Sequence, residues 1–219
     1  MFLSHFAVAM AAKKAVPRVS LGTLVMSAQF LDLVWPILLL VGLEHVRIDP
    51  GNTVFTPLAF ESYPISHSLL AVVGWSLAFG TAYYAIRRSA TAAWLLAACV
   101  LSHWVLDAVV HRPDLPLHPG SAALIGFGLW NSFAATVVAE SAIFLLGVLV
   151  YVHSTRAADR TGRFSFWAFV VFLAIIWIGN SFGPPPPGET AIGVVGMLQW
   201  LFIPWAYWID RHRTPVVNH

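Results

Sequence analysis

The stretch LSHWVLDAVVHRPD, residues 101–114, sets His103, Asp107 and His111 at four-residue intervals in an apolar run. On a helix such positions advance about 40° beyond a full turn, so the three side chains wind along one face. An imidazole and a carboxylate one turn apart form a two-point platform for a divalent metal, and both ligand types suit zinc, manganese and iron. His103 and His111 stand about 12 Å apart along the axis, too far to share one ion without distorting the helix. The spacing therefore leaves two pairs, His103 with Asp107 or Asp107 with His111. The plain alternative is a pair that hydrogen-bonds only to stay satisfied inside a bundle.

Other ionisable residues interrupt apolar runs in the same way. Asp32 lies in AQFLDLVWP, His67 in YPISHSLL and Glu140 in VVAESAIF, while His5, Glu44, His45 and His111 fall at or near the edges of such runs. Ionisable groups at membrane depth cost several kcal/mol unless paired or hydrated, which makes them functional candidates by default. Pro36 removes the hydrogen bond to the Asp32 carbonyl and predicts a kink beside that acid. Asp32 is a candidate fourth ligand or general base. Glu140 is read as a ligand, a general base or the carboxylate that orients a ligating imidazole, the last being favoured. Glu44, His45 and Asp49 are expected to be solvated.

The elements that must carry these residues follow from composition. Of 219 residues, 58% are hydrophobic and only 10% charged, which excludes an ordinary soluble domain and predicts an all-α polytopic membrane bundle, one domain over 1–219. Six apolar runs are long enough to cross a hydrocarbon core of about 30 Å, at about 20–45, 65–86, 90–110, 131–153, 164–182 and 191–209. The first 12 residues, MFLSHFAVAMAA, are too short to span and precede Lys13 and Lys14, the reverse of a signal peptide. They predict a short amphipathic or re-entrant helix. If re-entrant, it brings His5 to a depth of about 12 Å, within reach of Asp32; if flat on the membrane, His5 is interfacial.

Lys13, Lys14, Arg18, Arg87, Arg88, Arg156, Arg160, Arg163, Arg211 and Arg213 fall in alternate connections. The positive-inside rule makes those cytoplasmic, puts both termini inside a bacterial inner membrane, and turns 46–64, 111–130 and 183–190 outward. The outer stretches 46–64 and 112–130 carry Pro and Gly punctuation and enough apolar residues to fold back as lids. Pro184 to Pro187 form a stiff connector. Cys99 is the single cysteine and reads as a packing residue. Trp35, Trp75, Trp94, Trp104, Trp167, Trp177, Trp200 and Trp205 suit interfaces and packing. A Gly-rich phosphate loop, a G-x-S-x-G elbow and a basic patch for nucleic acid are all missing from the sequence.

PISHSLL followed by LSHWVLDAVVHRPDLPLHPG resembles the family of bacterial inner-membrane metal-dependent hydrolases of the LexA-regulated type. Its members show a His near the N-terminus, an acidic motif at the first span, a Thr-His-Ser-Leu motif, and Ser-His-x-x-x-Asp followed by a Pro-Leu-x-Pro turn. The resemblance covers the first 120 residues or so. It implies a shared site of His5, Asp32, His67, His103 and Asp107, with Pro116, Leu117 and Pro119 in the turn. It selects His103 with Asp107 and leaves His111 as an outer-edge residue that meets substrate. Two features depart from the pattern: FLDLVWP offers Asp32 alone where the family has two aspartates and a following His, and YPI replaces Arg-Gly before the His-Ser. One ligand of a two-metal site is thereby absent.

Three functions are weighed. The first is a metal-dependent hydrolase acting on a lipid or lipid-linked ester near the outer leaflet, with His5, His67, His103 and Asp107 as ligands, zinc as the first candidate ion and manganese or iron next. The second is a proton- or cation-coupled transporter using Asp32, Glu140 and His103; the concentration of polar residues in the first four spans, with no inverted repeat, counts against it. The third is a non-catalytic subunit bound to a membrane protein partner. Interhelical hydrogen bonds are worth only about 0.6 kcal/mol on average in one well-studied membrane bundle, so five ionisable groups are a costly form of glue.

Overall fold

Three of the long apolar runs begin where a short polar side chain satisfies a free backbone N–H group. Ser68 caps Leu69–Arg87, Ser132 caps Phe133–Ser154 and Asp159 caps Arg160–Phe182, each accepting from a backbone N–H two or three residues into its helix. In the computed structural model, which describes residues 1–216, the chain folds as an all-α helical bundle.

In order, the elements are α1 (Phe2–Ala15), α2 (Leu21–Ala28), α3 (Phe30–Leu40), β1 (His45–Ile48), β2 (Leu58–Ser62), α4 (Leu69–Arg87), α5 (Ala90–Val110), β3 (Leu115–Pro116) and β4 (Leu124–Ile125). They continue with α6 (Phe133–Ser154), β5 (Thr155–Ala157), α7 (Arg160–Phe182), α8 (Glu189–Met197), α9 (Phe202–Arg211) and β6 (Arg213–Pro215). The short strands pair as antiparallel β1–β2, β3–β4 and β5–β6.

Among the described residues, five helical segments are long and apolar enough to cross a membrane: α4, α5, α6, α7, and Glu189–Arg211, in which a 3-10 turn joins α8 to α9. The pair α2 and α3 makes a sixth if counted as one span, bent by 56°. These match the six expected runs, with one difference in the first. The break comes at Gln29 and not at Pro36, which sits inside α3. Gly196 of α8 lies against Pro36 so closely that a Cβ there would stand 2.6 Å from the proline ring, and Gly193 packs nearly as closely on Leu40. The ring is housed by its neighbour, and the bend forms about two turns earlier.

Apart from Ser4 and His5 the first three turns of α1 are apolar, with no polar face to keep in water, so any face of it can be buried. It lies inside the bundle against α6, with Leu3, His5, Phe6 and Met10 all buried. At Gly147 of α6 the backbones approach so closely that a Cβ would meet Ala7 Cα at 2.5 Å. An interfacial His5 is thereby ruled out. The main core joins α1, α2, α6, α7 and α9 through Phe6, Leu24, Phe144, Phe169 and Phe202. A second core around Leu31, Trp35, Val72, Val100 and Trp104 joins α3, α4 and α5. Cys99 is buried in the first of these.

Candidate metal site

Five predicted residues from four segments come together. α1 supplies His5, α3 supplies Asp32, the turn before α4 supplies His67, and α5 supplies His103 and Asp107. Two overlapping sets of three, His5 with His103 and Asp107, and Asp32 with His67 and His103, each place one ligand atom per residue within 4.8 Å of the others. Such groups could hold a metal ion.

His103 Nε2 is 3.2 Å from Asp107 Oδ2 and 3.5 Å from Asp32 Oδ1. His67 Nε2 is 3.8 Å from each of Asp32 Oδ1 and Asp107 Oδ2. His5 Nε2 lies 3.2 Å from Asp107 Oδ1, which also receives the Met1 α-amino group at 2.6 Å. The His5 and His103 rings stack at 3.5 Å. Of the five, only Asp32 keeps appreciable exposure, 23% of its side chain, so the cluster opens on its side.

The far sides of two imidazoles are fixed by what they touch. His103 Nδ1 sits 2.8 Å from the Ala28 carbonyl, which can only accept, so Nδ1 carries a proton. The break after α2 frees that carbonyl for this purpose. A neutral His103 then has its lone pair on Nε2, directed towards two carboxylates. Although close to both oxygens, His103 Nε2 makes a hydrogen bond of acceptable angle to neither, as expected of a nitrogen directed between them. Buried polar atoms without partners are costly, and one in such a cluster marks a place for a cation.

His67 Nδ1 lies 2.7 Å from Ser66 Oγ, and Ser66 Oγ donates to Glu44 Oε2. Glu44 was expected to be solvated, and the structure overturns this: it is fully buried. The chain folds back after α3 and lays the turn before α4 across the carboxylate, which accepts from the Ile65 and Ser66 backbone N–H groups at 2.7 and 2.8 Å. Burial pushes the Glu44 carboxyl above its ordinary value, against the pull of the Ser66 and Ile65 donors. His45 remains exposed, within hydrogen-bond distance of Glu189, and Asp49 is partly exposed, paired with Arg47.

Glu140 does not orient an imidazole. Its Oε2 accepts from the Leu3 backbone N–H at 3.1 Å and so holds the first turn of α1, where a carboxylate also suits the helix dipole. His111 ends α5 and turns away from the cluster: Nδ1 is 2.8 Å from Asp114 Oδ1, which also accepts from the Tyr63 hydroxyl at 2.8 Å. Its ring packs on Trp130 at 4.3 Å and on Phe60 at 4.8 Å, under β1–β2 and the segment before α6. Of the two pairs that spacing allowed, the one formed is His103 with Asp107. Glu44, Ser66, Tyr63 and Asp114 escaped sequence reasoning; only the position of Ser66 directly before His67 signalled any of them.

No family model, curated protein or solved structure matches the chain.

Proposed function

We propose that the protein is a membrane-embedded, divalent-metal-dependent hydrolase of a lipid or lipid-linked substrate. The observation that carries this reading is the convergence of His5, Asp32, His67, His103 and Asp107 in a buried cluster, with the Nδ1 side of His103 fixed so that its Nε2 faces two carboxylates. A donor set of imidazole and carboxylate suits zinc first, then manganese or iron. An ion held there supplies Lewis-acid activation of water and of a phosphoryl or acyl oxygen.

The chain's own residues have distinct parts in this reading. His67, His103 and Asp107 are the primary ligands and His5 completes the set from α1. Asp32, on the open side, serves as a further ligand or takes the proton of the attacking water. Glu140 fixes the end of α1, and through it the position of His5. His111, buried beside Trp130 and Phe60 and tied to Asp114, packs under β1–β2 and takes no direct part at the cluster. The same proposal includes the resemblance to bacterial inner-membrane metal-dependent hydrolases, a site nearer the outer leaflet, and both termini in the cytoplasm.

Elemental analysis of detergent-purified protein tests it. Wild type is expected to hold about one zinc, manganese or iron per chain, and His103→Ala and Asp107→Asn to hold less than about a tenth of that. Folded wild type that takes up none of these metals refutes the reading and leaves proton relay, read by flux in liposomes, and subunit role, read by co-purification.

A further inference from the structure

We propose that Glu44 and Ser66 are positioning residues that fix the proton of His67 on Nδ1 and so present its Nε2 to the cluster as a lone pair. The inference rests on the metal reading above.

The proton inventory carries it. Glu44 Oε1 accepts the Ile65 and Ser66 backbone N–H groups, and Oε2 accepts from Ser66 Oγ at 2.5 Å. A serine hydroxyl has one proton; once it is given to the carboxylate, Oγ can only accept. The group 2.7 Å away on its other side is His67 Nδ1, which must therefore donate. A neutral imidazole with Nδ1–H has its lone pair on Nε2, and that atom faces Asp32 Oδ1 and Asp107 Oδ2.

Burial supports the assignment. Glu44 and Ser66 are both wholly buried, and Glu44 has no cationic partner among the described residues. A carboxylate sealed without a counter-ion is expensive, and the three hydrogen bonds that retain it all come from the two residues preceding His67. The segment that begins with Asp32 in α3 thus supplies a carboxylate to the site directly and, twelve residues later, a second one that acts through Ser66. His103 is held by the Ala28 carbonyl in the equivalent way, so the two imidazoles facing both carboxylates are oriented by different devices to one end.

The test is zinc affinity, measured on the detergent-purified full chain by competition with a chelating dye, with the Co²⁺ ligand-field spectrum and thermal unfolding of each variant alongside. Ser66→Ala and Glu44→Gln are each expected to weaken zinc binding by about 10–100-fold at unchanged stoichiometry, the range for residues that orient a ligating imidazole. A glutamine at 44 can donate to Ser66 and so permits the reversed chain of hydrogen bonds. The double variant is expected to bind within about twofold of Ser66→Ala, because both changes break one chain. Ser66→Thr keeps the hydroxyl and is expected to bind within about threefold of wild type.

Four results overturn the inference: wild-type affinity and Co²⁺ spectrum in Ser66→Ala; the same in Glu44→Gln; fully additive losses in the double variant; or Ser66→Thr as weak as Ser66→Ala. A wild type that binds neither zinc nor cobalt overturns the metal reading itself, and this one with it. Should Ser66→Ala fail to fold, Glu44→Gln and Ser66→Thr carry the comparison.

Discussion

At the residue scale, His103 and His111 lie on one helical stripe and yet belong to different centres. His103 points into the five-residue cluster, while His111 is tied to Asp114 and Tyr63 two turns further along. His111→Gln is therefore expected to leave metal content and affinity within about twofold of wild type, since no ligand or its orienting partner is touched. On the proposed metal reading, Asp107→Asn is expected to abolish metal binding. Elemental analysis of the two variants side by side checks this, and metal loss in His111→Gln would return Asp107 with His111 as the pair. His5, Asp32, His67, His103 and Asp107 were legible in sequence because an ionisable residue in an apolar run has few innocent explanations. Glu44, Ser66, Tyr63 and Asp114 were not, because they lie in segments rich in polar, Pro and Gly residues, where the same side chains are ordinarily solvated. Their burial comes from the way β1–β2 and the turn before α4 fold back, a non-local event that residue type does not report.

At the element scale, α1 is the piece on which the site most depends and which local pattern described least. Its largely apolar sequence left both an amphipathic helix flat on the membrane and a re-entrant one open, and the choice is made by α6, where Gly147 admits the α1 backbone and Glu140 holds its first turn. Gly147→Leu is expected to push α1 outward. Overpacking of this kind costs on the order of 1–3 kcal/mol, and because His5 rides on α1 the variant is also expected to bind zinc more weakly. Thermal unfolding and zinc competition read the two effects separately. Lowered stability with unchanged zinc affinity would remove His5 from the ligand set. The remaining spans were legible from length and hydropathy, which are properties of single segments. The bend at Gln29 was not: the local signal pointed to Pro36, but α8 accommodates the proline ring, while His103 takes up the Ala28 carbonyl that the earlier break releases.

At the scale of the whole molecule, the Lys and Arg residues other than Arg47 and Arg112 gather at one end of the bundle. Lys13 at the end of α1 pairs with Asp210 at the end of α9, at 2.6 Å. β5 follows α6 and pairs with β6 after α9, which joins Arg156 and Arg213 at that same end. Ala15 and Val16 share a surface pocket with Thr91 and Trp94 of α5, which places the turn bearing Arg87 and Arg88 there as well. The opposite end carries β1–β2, bound to the start of α8 through His45 and Glu189, and the β3–β4 pair, from which the Leu117 carbonyl accepts from Leu70 at the start of α4. The fold has therefore separated the charged connections into two ends, and the proposed orientation, taken from the positive-inside rule, has the basic end in the cytoplasm. In a Cys99→Ala background, Ser89→Cys and Ala158→Cys are expected to react with a membrane-impermeant thiol reagent only after the membrane is opened, and Ala122→Cys to react in intact cells lacking an outer-membrane barrier. Labelling of all three from one side would break the agreement between charge and fold and remove the bundle from a spanning arrangement. The reverse pattern would keep the bundle and turn it over, placing His67 and the open side of the cluster towards the inner leaflet, so that a substrate would have to be sought there.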